Sequence, residues 1–348
     1  MKKENMILIT EDVSFPIDEG IKKYSFKIVE YFSKRIGSYT FTNEFNSELK
    51  NQLKLPHNKL FFSLKFYKDL RDLEGDVLYI PNSSSTIASF FRLKMIQVFT
   101  RKRTVLVSIQ KRVHSNYQKK IIKYLLKPSL IFVFSDREKK YYEELNINTE
   151  LTSIGVDIDK FSSVSDEKRK EIRDKYNISS SKKIVCHVGH INEARNIRML
   201  KNLVSDNCEV VIIGSTCFDS DEDLKLDLES NGVILISDYI ENIGEIYQML
   251  DAYIFPVKID NAVIEFPLSI LEAMSCNIPI ISTKFGSIPK HFKENEYFKY
   301  FDSEDELIHK TKSLFSQSNL NDCNNRIEIV ENFTWDTQFE KLYNKIIK

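Results

Sequence analysis

Short, continuously apolar runs alternate with helical patterns along almost the whole chain of 348 residues. Runs of this kind are typical of parallel strands buried on both faces. The strand candidates are residues 6–10, 76–80, 104–109, 130–134, 150–154, 184–188, 210–213, 233–236, 252–255 and 278–282. The helical patterns between them are residues 22–34, 115–126, 136–145, 197–203, 243–250, 267–275 and 304–315. The alternation predicts an α/β fold with helices on both faces of parallel sheets.

A polar, charged stretch divides the chain near its middle. It covers residues 162–178 and continues into a serine- and lysine-rich loop at 179–183, before the strand at 184–188 begins a second α/β series. The length also suggests two domains, at roughly 100–200 residues each. We therefore predict two doubly wound domains, residues 1–165 and 166–333. Such domains bind ligands at the carboxyl ends of their strands.

The composition excludes several classes of protein. An apolar fraction of 42% with 12% aromatic residues is enough for hydrophobic cores and excludes a largely disordered chain. The five cysteines are scattered without a C-x-x-C pair, which argues against a zinc framework or a disulfide scaffold and fits a reducing compartment. The first residues do not form a signal peptide, and no window approaches 18 apolar residues. We expect a cytoplasmic protein.

The formal net charge of zero conceals an asymmetry between the two halves. Residues 1–160 contain 28 basic and 19 acidic side chains, a net charge of +9, whereas residues 161–348 contain 22 and 31, a net charge of −9. Residues 90–127 contain eleven basic side chains and no acidic one. Such asymmetry indicates an anionic partner for the N-terminal half.

The stretch 114–127 has helical order within this basic region. On a helical wheel, one side is filled by Tyr124, Ile121, Leu125, Ile122 and Leu126, and the opposite side by Lys119, Lys120, Lys123 and Lys127. Two interpretations stay open. The helix either packs on the core with a solvated lysine face, or lies on an anionic membrane surface. We expect no nucleic-acid partner, because the segment lacks the interleaved aromatic residues and glycines of a single-strand platform.

The segment 262–282 (AVIEFPLSILEAMSCNIPIIS) is the most informative for chemistry. Pro267 suits the first position of a helix, and the N–H groups of Leu268 and Ser269 would then form an anion site at its positive end. One turn later, Glu272 is the only charged residue among apolar neighbours. A buried carboxylate needs donors, such as a diol, or else is stabilised by the helix dipole and water.

A second candidate site is the segment 186–196 (CHVGHINEARN). The strand ends at Gly189, which permits a close backbone approach, and His190 and Arg195 follow in the next loop. Cations at the carboxyl end of a strand suit a phosphate ligand. Alone this pattern has low specificity, because any such loop can contain an arginine.

In their order and spacing these segments resemble the retaining glycosyltransferases of family 4 (glycosyl transferases group 1). The resemblance runs nearly end to end. It rests also on residues 15–23 (FPIDEGIKK), 129–138 (SLIFVFSDRE), 154–161 (IGVDIDKF), 238–240 (DYI) with 246–256 (IYQMLDAYIFP), and 333–335 (FTW). It implies the GT-B fold, in which two Rossmann-like domains face each other across a cleft. The last helix, residues 334–348, would then cross back to the N-terminal, acceptor-binding domain, and residues 166–333 would bind the donor.

The resemblance also implies roles for single residues. Glu272 matches the second glutamate of the family's E-x7-E motif, which binds the nucleotide ribose. Leu268 and Ser269 match the helix start whose amides face the donor diphosphate. Arg195 matches the basic residue that pairs with this diphosphate and steadies the leaving group. The implied donor-binding set also contains Gly20, Gly189, His190, Asn196, Glu265 and Phe266.

The sequence departs from the family pattern at two donor-site positions. Ile264 stands where the family's first motif glutamate contacts the donor sugar, and Glu265, one position later, is the best remaining candidate for that contact and for catalysis beside Arg195. His190 stands where an arginine is usual, and histidine is the weaker cation at neutral pH. In the N-terminal domain, Gln110 occupies a position where many relatives have histidine. We interpret the nearby His114 as part of the basic helix and not as a catalytic residue.

No metal or other cofactor is expected. Residues 219–223 (DSDED) superficially offer a D-x-D metal motif, but acids are also favoured where a helix begins. In GT-B enzymes, cations and helix dipoles usually stabilise the departing diphosphate.

The resemblance implies a hexosyltransferase-like enzyme that moves a sugar, with retention, from a nucleotide-diphosphate sugar to a glycan, lipid-linked or other acceptor. The pathway would be synthesis of a cell-surface polysaccharide or glycoconjugate, in the cytoplasm or peripherally at the inner face of the membrane. Two alternatives remain. One is a catalytically silent GT-B subunit that binds a nucleotide or a partner, and the other is a nucleotide-sugar epimerase of similar fold. The epimerase ranks last, because that family does not have the Leu-Glu-Ala-Met helix context.

Overall fold

The computed structural model describes residues 5–17, 20–82, 85–110, 112–214, 221–238, 240–259, 263–317 and 323–347. The chain divides into two compact units. The first unit contains Met1–Ile154, Ile264–Phe266 and Trp335–Lys348, and the second contains Gly155–Val263 and Pro267–Thr334.

The second unit begins at Gly155, upstream of the predicted boundary at 165/166. Hydrogen bonds within this unit hold the residues between these two positions. The Arg326 guanidinium donates to the carbonyls of Ile158 (2.9 Å) and Phe161 (2.7 Å), and the Val156 N–H donates to the Phe333 carbonyl (2.8 Å).

The sheet of the first unit has seven parallel strands in the order β3-β2-β1-β4-β5-β6-β7. The strands are β1 (Met6–Thr10), β2 (Tyr39–Thr42), β3 (Gln52–Lys54), β4 (Asp76–Ile80), β5 (Thr104–Ser108), β6 (Leu130–Val133) and β7 (Thr149–Leu151). All residues of β1, β5 and β6 are buried, as expected for strands covered on both faces. The strand order reverses between β1 and β4, which makes that position the topological switch point of the unit.

Five helices connect these strands: α1 (Gly20–Ile36), α2 (Leu64–Asp72), α3 (Ile87–Thr100), α4 (Asn116–Leu125) and α5 (Asp136–Glu144). Four of these helices have a serine or threonine hydroxyl as the N-cap. Ser63, Thr86, Ser115 and Ser135 each accept a hydrogen bond from the backbone N–H three residues later. Such caps satisfy N–H groups that have no partner within the helix. At α4 the Gln118 side chain also bonds back to the Ser115 N–H (2.9 Å), which completes a capping box.

The second unit has six parallel strands in the order β10-β9-β8-β11-β12-β13. They are β8 (Lys183–Val188), β9 (Cys208–Ile213), β10 (Ile234–Ile236), β11 (Ala252–Phe255), β12 (Ile280–Ser282) and β13 (Phe298–Tyr300). Here the strand order reverses between β8 and β11, which pair in parallel through Val185 with Ala252 and Cys186 with Tyr253. A ligand site is expected beyond the carboxyl ends of these two strands.

The α-helices of this unit are α6 (Asp166–Lys175), α7 (Glu222–Ser230), α8 (Ile243–Gln248), α9 (Leu268–Ser275), α10 (Ile288–His291), α11 (Glu304–Phe315) and α12 (Asn325–Asn332). Two 3-10 helices, Glu193–Arg195 and Ile197–Leu203, follow β8. A buried ion pair ties α6 to the start of β11. Arg173 Nη2 lies 2.7 Å from Asp251 Oδ2, and the same guanidinium donates to the Met249 carbonyl.

The last helix, α13 (Trp335–Ile346), packs in the first unit. The ring of Tyr24 on α1 lies edge-on to Trp335 and to Phe339, with centroid distances of 6.0 and 5.4 Å. Lys345 Nζ donates to the Leu151 carbonyl at the end of β7 (2.6 Å). The predicted return of the last helix to the N-terminal half of the chain is therefore confirmed.

All ten predicted strands are present, with ends that differ by at most three residues. The strands β2, β3 and β13 were not predicted. Residues 197–203, predicted as an α-helix, form a 3-10 helix that begins directly after Asn196, whose φ of 57° is left-handed. Short connectors of this kind commonly adopt the 3-10 form.

The predicted apolar side of the basic helix is wrong in one respect. Of the five residues assigned to it, only Ile122 and Leu126 are buried, whereas Tyr124 and Leu125 are 74% and 63% exposed. The reason is that α4 contacts the core through Ile122 and the half-buried Ile121, with Leu126 packed just after the end of the helix.

Candidate active site

Arg195 lies near the switch point of the second unit, at the end of the first 3-10 helix after β8. Asn196, which follows in the left-handed conformation, donates from Nδ2 to the Pro256 carbonyl just after β11 (3.0 Å). This bond fixes the backbone of Arg195 relative to both strands of the switch point. The sequence prediction that Arg195 and Asn196 follow a strand end is therefore met by the geometry.

The Arg195 side chain is a buried cation. It is 7% exposed, and among the described residues no carboxylate lies within ion-pair distance of it and its Nε has no hydrogen-bond partner. Burial lowers its pKa to about 10, so it stays protonated at neutral pH. A buried charge without a counter-ion is costly. The position is thus suited to an anion that the described residues do not provide.

Gly189 provides the space that this guanidinium occupies. A Cβ atom at Gly189 would lie 3.0 Å from Arg195 Nη1 and 3.1 Å from His187 Nε2. His187, within β8, is fully buried, and its Nδ1 lies 3.0 Å from the Ile254 carbonyl of β11. Burial, followed by the charge of Arg195, lowers the pKa of His187 to about 3. His190, the other predicted cation, is half-buried in the loop after β8.

Helix α9 begins in the same unit without a side-chain cap. Pro267, predicted as the first helical residue, is the N-cap residue, with φ −67° and ψ 125°. Leu268 and Ser269 are therefore the first two helical residues, as the anion-site prediction requires. Burial raises the pKa of the neighbouring Tyr253 on β11, so its hydroxyl stays neutral.

Glu272 is 5% exposed on the next turn of α9. Its Oε2 accepts a hydrogen bond from the Tyr247 hydroxyl of α8 at 2.8 Å. Tyr247 is itself fully buried, and burial, followed by the Glu272 charge, raises its pKa well above the ordinary value. Tyr247 is thus a neutral donor that fixes one oxygen of the carboxylate.

The sequence did not nominate His187, Tyr247 or Tyr253. Their rings are neighbours: Tyr253 lies 6.3 Å from His187 and 5.8 Å from Tyr247, centroid to centroid. His187 and Tyr253 each place one polar group in an apolar strand, which is a weak sign of them in the sequence. Tyr247 lies in a helix that also contains Glu245 and Gln248, so its pattern does not distinguish it.

Glu265 and Phe266 belong to the first unit, whereas Arg195 and Glu272 belong to the second. Glu265 is 4% exposed, and its Oε1 lies 3.1 Å from Nη2 of Arg137 on α5. Its neighbour Phe266 is 1% exposed. The structure therefore shows an ion pair for Glu265 that the sequence did not suggest, and its assignment to the donor sugar stays a prediction.

Other predicted site residues also lie in the first unit. Gly20 begins α1, after the loop that follows β1. In that loop Asp12 accepts from the Ser14 N–H (2.8 Å) and pairs with Lys22 (3.0 Å). The metal-motif candidate at 219–223 begins outside the described residues, which resume at Asp221, the N-cap of α7.

His114 precedes α4 and is 4% exposed. Its Nε2 lies 2.9 Å from the Ser85 carbonyl, which can only accept, so Nε2 carries the proton and Nδ1 accepts from the Tyr141 hydroxyl (2.9 Å). Burial lowers the pKa of this histidine. His114 is therefore a neutral residue with both ring nitrogens engaged, outside the helix to which the sequence assigned it.

A comparison with known protein families finds a match within the second unit. Residues 168–332 match the family described as "Glycosyl transferases group 1". This match covers the second unit almost completely. No curated protein matches the chain in sequence.

Solved structures match the whole chain in fold. The structure of HepE (Alr3699) from Anabaena in complex with UDP and glucose covers 99% of this chain and 100% of its own, at a TM-score of 0.79 and 12% identity. A glycosyltransferase from Rickettsia africae gives a TM-score of 0.79 at 15% identity, covering 99% of both chains. A sucrose-phosphate synthase from Thermosynechococcus elongatus gives 0.77 at 14% identity, again covering 99% of both. At these identities the likeness shows the fold, which is the GT-B fold.

Proposed function

We propose that this group 1 glycosyltransferase of GT-B fold takes its sugar from a nucleotide-diphosphate donor bound by the second unit. The observation that carries the proposal is Arg195, a buried cation near the switch point between β8 and β11 that has no counter-ion in the described part of the chain. A donor diphosphate supplies the missing negative charge. Support for this donor class comes also from the Anabaena protein of the same fold, which binds UDP and glucose.

The uncapped start of α9 supplies a second set of groups for the diphosphate. The amides of Leu268 and Ser269 point along the helix axis at its positive end, where an anion is stabilised. Pro267 has no N–H, so these two amides are the first that the helix offers. Arg195 and α9 together would stabilise the charge that develops on the diphosphate as it leaves.

Glu272 is assigned to the ribose hydroxyls of the nucleotide. The Tyr247 hydroxyl holds one carboxylate oxygen at 2.8 Å, which fixes the orientation of the group. A carboxylate in this orientation can accept hydrogen bonds from a diol. Such bonds would compensate the burial of an acid in an apolar helix.

The transfer itself would proceed with retention. The bond between the anomeric carbon and the diphosphate oxygen breaks, and an acceptor hydroxyl oxygen bonds to the same face of that carbon. The acceptor proton passes to the departing diphosphate. Glu265 is proposed to contact the sugar hydroxyls once its ion pair with Arg137 is released.

Two measurements test the donor assignment. A panel of nucleotide sugars should include one that raises the melting temperature of the protein, because a ligand that binds only the folded state stabilises it. Donor hydrolysis should then fall in Arg195→Ala and Glu272→Ala and stay at the wild-type rate in Arg198→Ala. Arg198 is a matched control, since it lies in the next 3-10 helix and pairs with Glu193 and Asp227. A panel without any response overturns the proposal.

The ion pair of Glu265 favours one alternative, a catalytically silent subunit that binds the nucleotide sugar. In that case the chain binds a donor but neither hydrolyses nor transfers its sugar to any acceptor. Glu265→Gln discriminates the two functions. The substitution lowers turnover of the enzyme without changing nucleotide affinity, whereas the silent subunit has no turnover to lose.

We further propose that the acceptor is a glycan or a lipid-linked molecule, in cell-surface polysaccharide or glycoconjugate synthesis, and that the first unit meets it at an anionic membrane surface. No helix among the described residues is long and apolar enough to cross a membrane. Helix α4 exposes Tyr117 and Tyr124, each 74% accessible, with Lys120 one turn from both. Exposed aromatic and basic groups on one helix suit the interface of an anionic bilayer.

Sedimentation with liposomes tests the membrane proposal. Binding to vesicles that contain anionic phosphatidylserine should exceed binding to neutral phosphatidylcholine vesicles and should fall with rising salt. The double variant Lys120→Glu/Tyr124→Ser should lose this binding. Lys312→Glu, an exposed charge reversal on α11 of the second unit, is the control and should retain it. Equal binding to both kinds of vesicle overturns the proposal.

A further inference from the structure

Two buried polar atoms at the carboxyl end of β8 have no hydrogen-bond partner among the residues that the structure describes. They are Nε2 of His187 and Nε of Arg195, in side chains that are 0% and 7% exposed. Buried polar groups in folded proteins are almost always paired. Two exceptions at one place indicate that a bound ligand or a rearrangement of these side chains completes the hydrogen bonding.

The hydrogen bond to β11 settles which nitrogen of His187 carries the proton. The Ile254 carbonyl, 3.0 Å from Nδ1, can only accept, so Nδ1 is the donor. Because the ring is neutral and Nδ1 carries the proton, Nε2 has a free lone pair and can accept a hydrogen bond. His187 therefore offers the guanidinium an acceptor, although a protonated ring would repel it.

Gly189 brings the two side chains to one point. Arg195 Nη1 and His187 Nε2 would lie 3.0 and 3.1 Å from the same Cβ atom, if Gly189 had one. Any other residue at this position would displace the guanidinium, the imidazole or both. The space above Gly189 is thus a socket shared by an arginine and a hydrogen-bond acceptor.

The imidazole is the fixed partner of the two. Its ring is stacked on Tyr253 at 6.3 Å with 23° between the planes, and packs against Phe255 at 6.2 Å. The arginine has a long, flexible side chain, and within it Nε is unbonded. A rigid acceptor beside a flexible cation can select one orientation of that cation.

We propose that His187 is the positioning residue of Arg195. When a diphosphate is bound, the His187 Nε2 lone pair accepts an N–H of the guanidinium, so that the remaining N–H groups of Arg195 are directed to the phosphate oxygens. This inference rests on the proposed donor function of the same site. It adds a residue that contacts no substrate and acts only through Arg195.

A double-mutant cycle with inorganic pyrophosphate tests the proposal. Pyrophosphate is the part common to all such donors, so the nucleotide base need not be known. We measure its affinity for the full chain with His187→Phe, Arg195→Ala and both substitutions. Arg195→Ala should weaken binding by about 100-fold and His187→Phe by about 10-fold, in the range of hydrogen bonds to charged groups. The double variant should be no weaker than Arg195→Ala alone.

Two further variants separate positioning from stability. His187→Gln places an amide oxygen near the former Nε2 and should restore part of the lost affinity. Tyr300→Phe is the control. It removes a hydroxyl on the edge strand β13 that donates to the Phe292 carbonyl, and it should bind pyrophosphate like the wild type. If His187→Phe does not fold, His187→Leu, which also removes the Nε2 acceptor, takes its place in the cycle.

Each outcome bears on a different claim. If the wild type binds neither pyrophosphate nor any nucleoside diphosphate, the donor function fails and this inference with it. If the wild type binds and His187→Phe binds equally well, only the inference fails. Losses that add fully in the double variant also overturn it, because His187 would then act independently of Arg195.

Discussion

Arg195 and Arg173 are two buried arginines of the second unit with opposite surroundings. Arg173 is 6% exposed and bonds to Asp251 and to the Met249 carbonyl, whereas Arg195 is 7% exposed and has no ion pair among the described residues. Breaking a buried ion pair is strongly destabilising, but removing an uncompensated buried charge is not. The contrast separates an arginine that holds the fold from one that we propose binds a ligand.

Arg195→Met should therefore raise the free energy of unfolding of the ligand-free protein by about 1 kcal/mol, while Arg173→Met lowers it by about 3–5 kcal/mol. Urea denaturation of both variants measures the difference. Nucleoside diphosphate should stabilise Arg173→Met but not Arg195→Met. An equal loss of stability in both variants would contradict this prediction.

His187 makes the stability depend on pH. Its pKa is about 3 in the folded protein, against an ordinary value of 6.5 that applies to the unfolded chain. The stability from the neutral buried ring is fully present above pH 6.5 and is lost as the pH falls toward 3, because only the unfolded state takes up the proton. The loss is about 1.4 kcal/mol per pH unit for this group.

Urea denaturation between pH 7 and 4 checks this linkage. The free energy of unfolding of His187→Phe should depend less steeply on pH than that of the wild type. The difference in slope should correspond to the uptake of about one proton on unfolding. The curve of Tyr300→Phe, which removes a hydroxyl whose pKa is raised by burial, should stay parallel to that of the wild type. If the unfolding free energy of His187→Phe had the same slope against pH as that of the wild type, the His187 imidazole would be protonated or exposed in the folded wild type.

Single residues could be nominated as site candidates where the sequence itself gives their surroundings. Arg195, Gly189 and Glu272 stand in motifs whose order along the chain nominates them. The partners of such residues were not predictable, because they are distant in sequence. Tyr247 is 25 residues from Glu272, and Arg137 is 128 residues from Glu265. Only the strand order of the sheets brings such pairs together.

At the scale of elements, long apolar strands were predictable and short or uniformly apolar elements were not. The strand β3 consists of Gln52, Leu53 and Lys54, which form no apolar run. Helix α3 has apolar residues around its whole circumference, so it shows no stripe with the period of a helix. Both elements are defined by their neighbours in the fold and not by their own pattern.

Helix α13 is expected to be essential for the first unit. Phe339 is fully buried, and its ring contacts Tyr24, Tyr31 and Trp335. Phe339→Ala should lower the free energy of unfolding by about 3–5 kcal/mol, from lost burial and the cavity left behind. Thermal denaturation measures this loss, and Lys341→Ala, an exposed substitution on the same helix, is the control. Equal melting temperatures for the two variants would show that α13 is dispensable.

At the scale of the whole molecule, the two halves of the chain have opposite charge, +9 for residues 1–160 and −9 for residues 161–348. The basic surplus is gathered in residues 90–127 of the first unit, and the buried cation Arg195 lies in the otherwise acidic half. The proposed nucleotide-sugar donor and the proposed membrane surface are thus assigned to different halves of the chain.

Hydrogen exchange followed by mass spectrometry should resolve the two partners. Pyrophosphate is expected to protect residues 189–196 and 267–272, because its proposed site lies at the end of β8 and at the start of α9. Vesicles with anionic lipid are expected to protect residues 112–127. Protection of the same segments by both additions would contradict the division of roles.

The three residues Ile264–Phe266 lie within the sequence of the second unit but belong to the first. The chain consequently changes unit four times, after residues 154, 263, 266 and 334. A chimaera that exchanged residues 155–334 as one cassette would bring a foreign tripeptide against the native Arg137. Functional recombinants between relatives should therefore take Glu265 and Arg137 from the same parent, so that the two residues are inherited together.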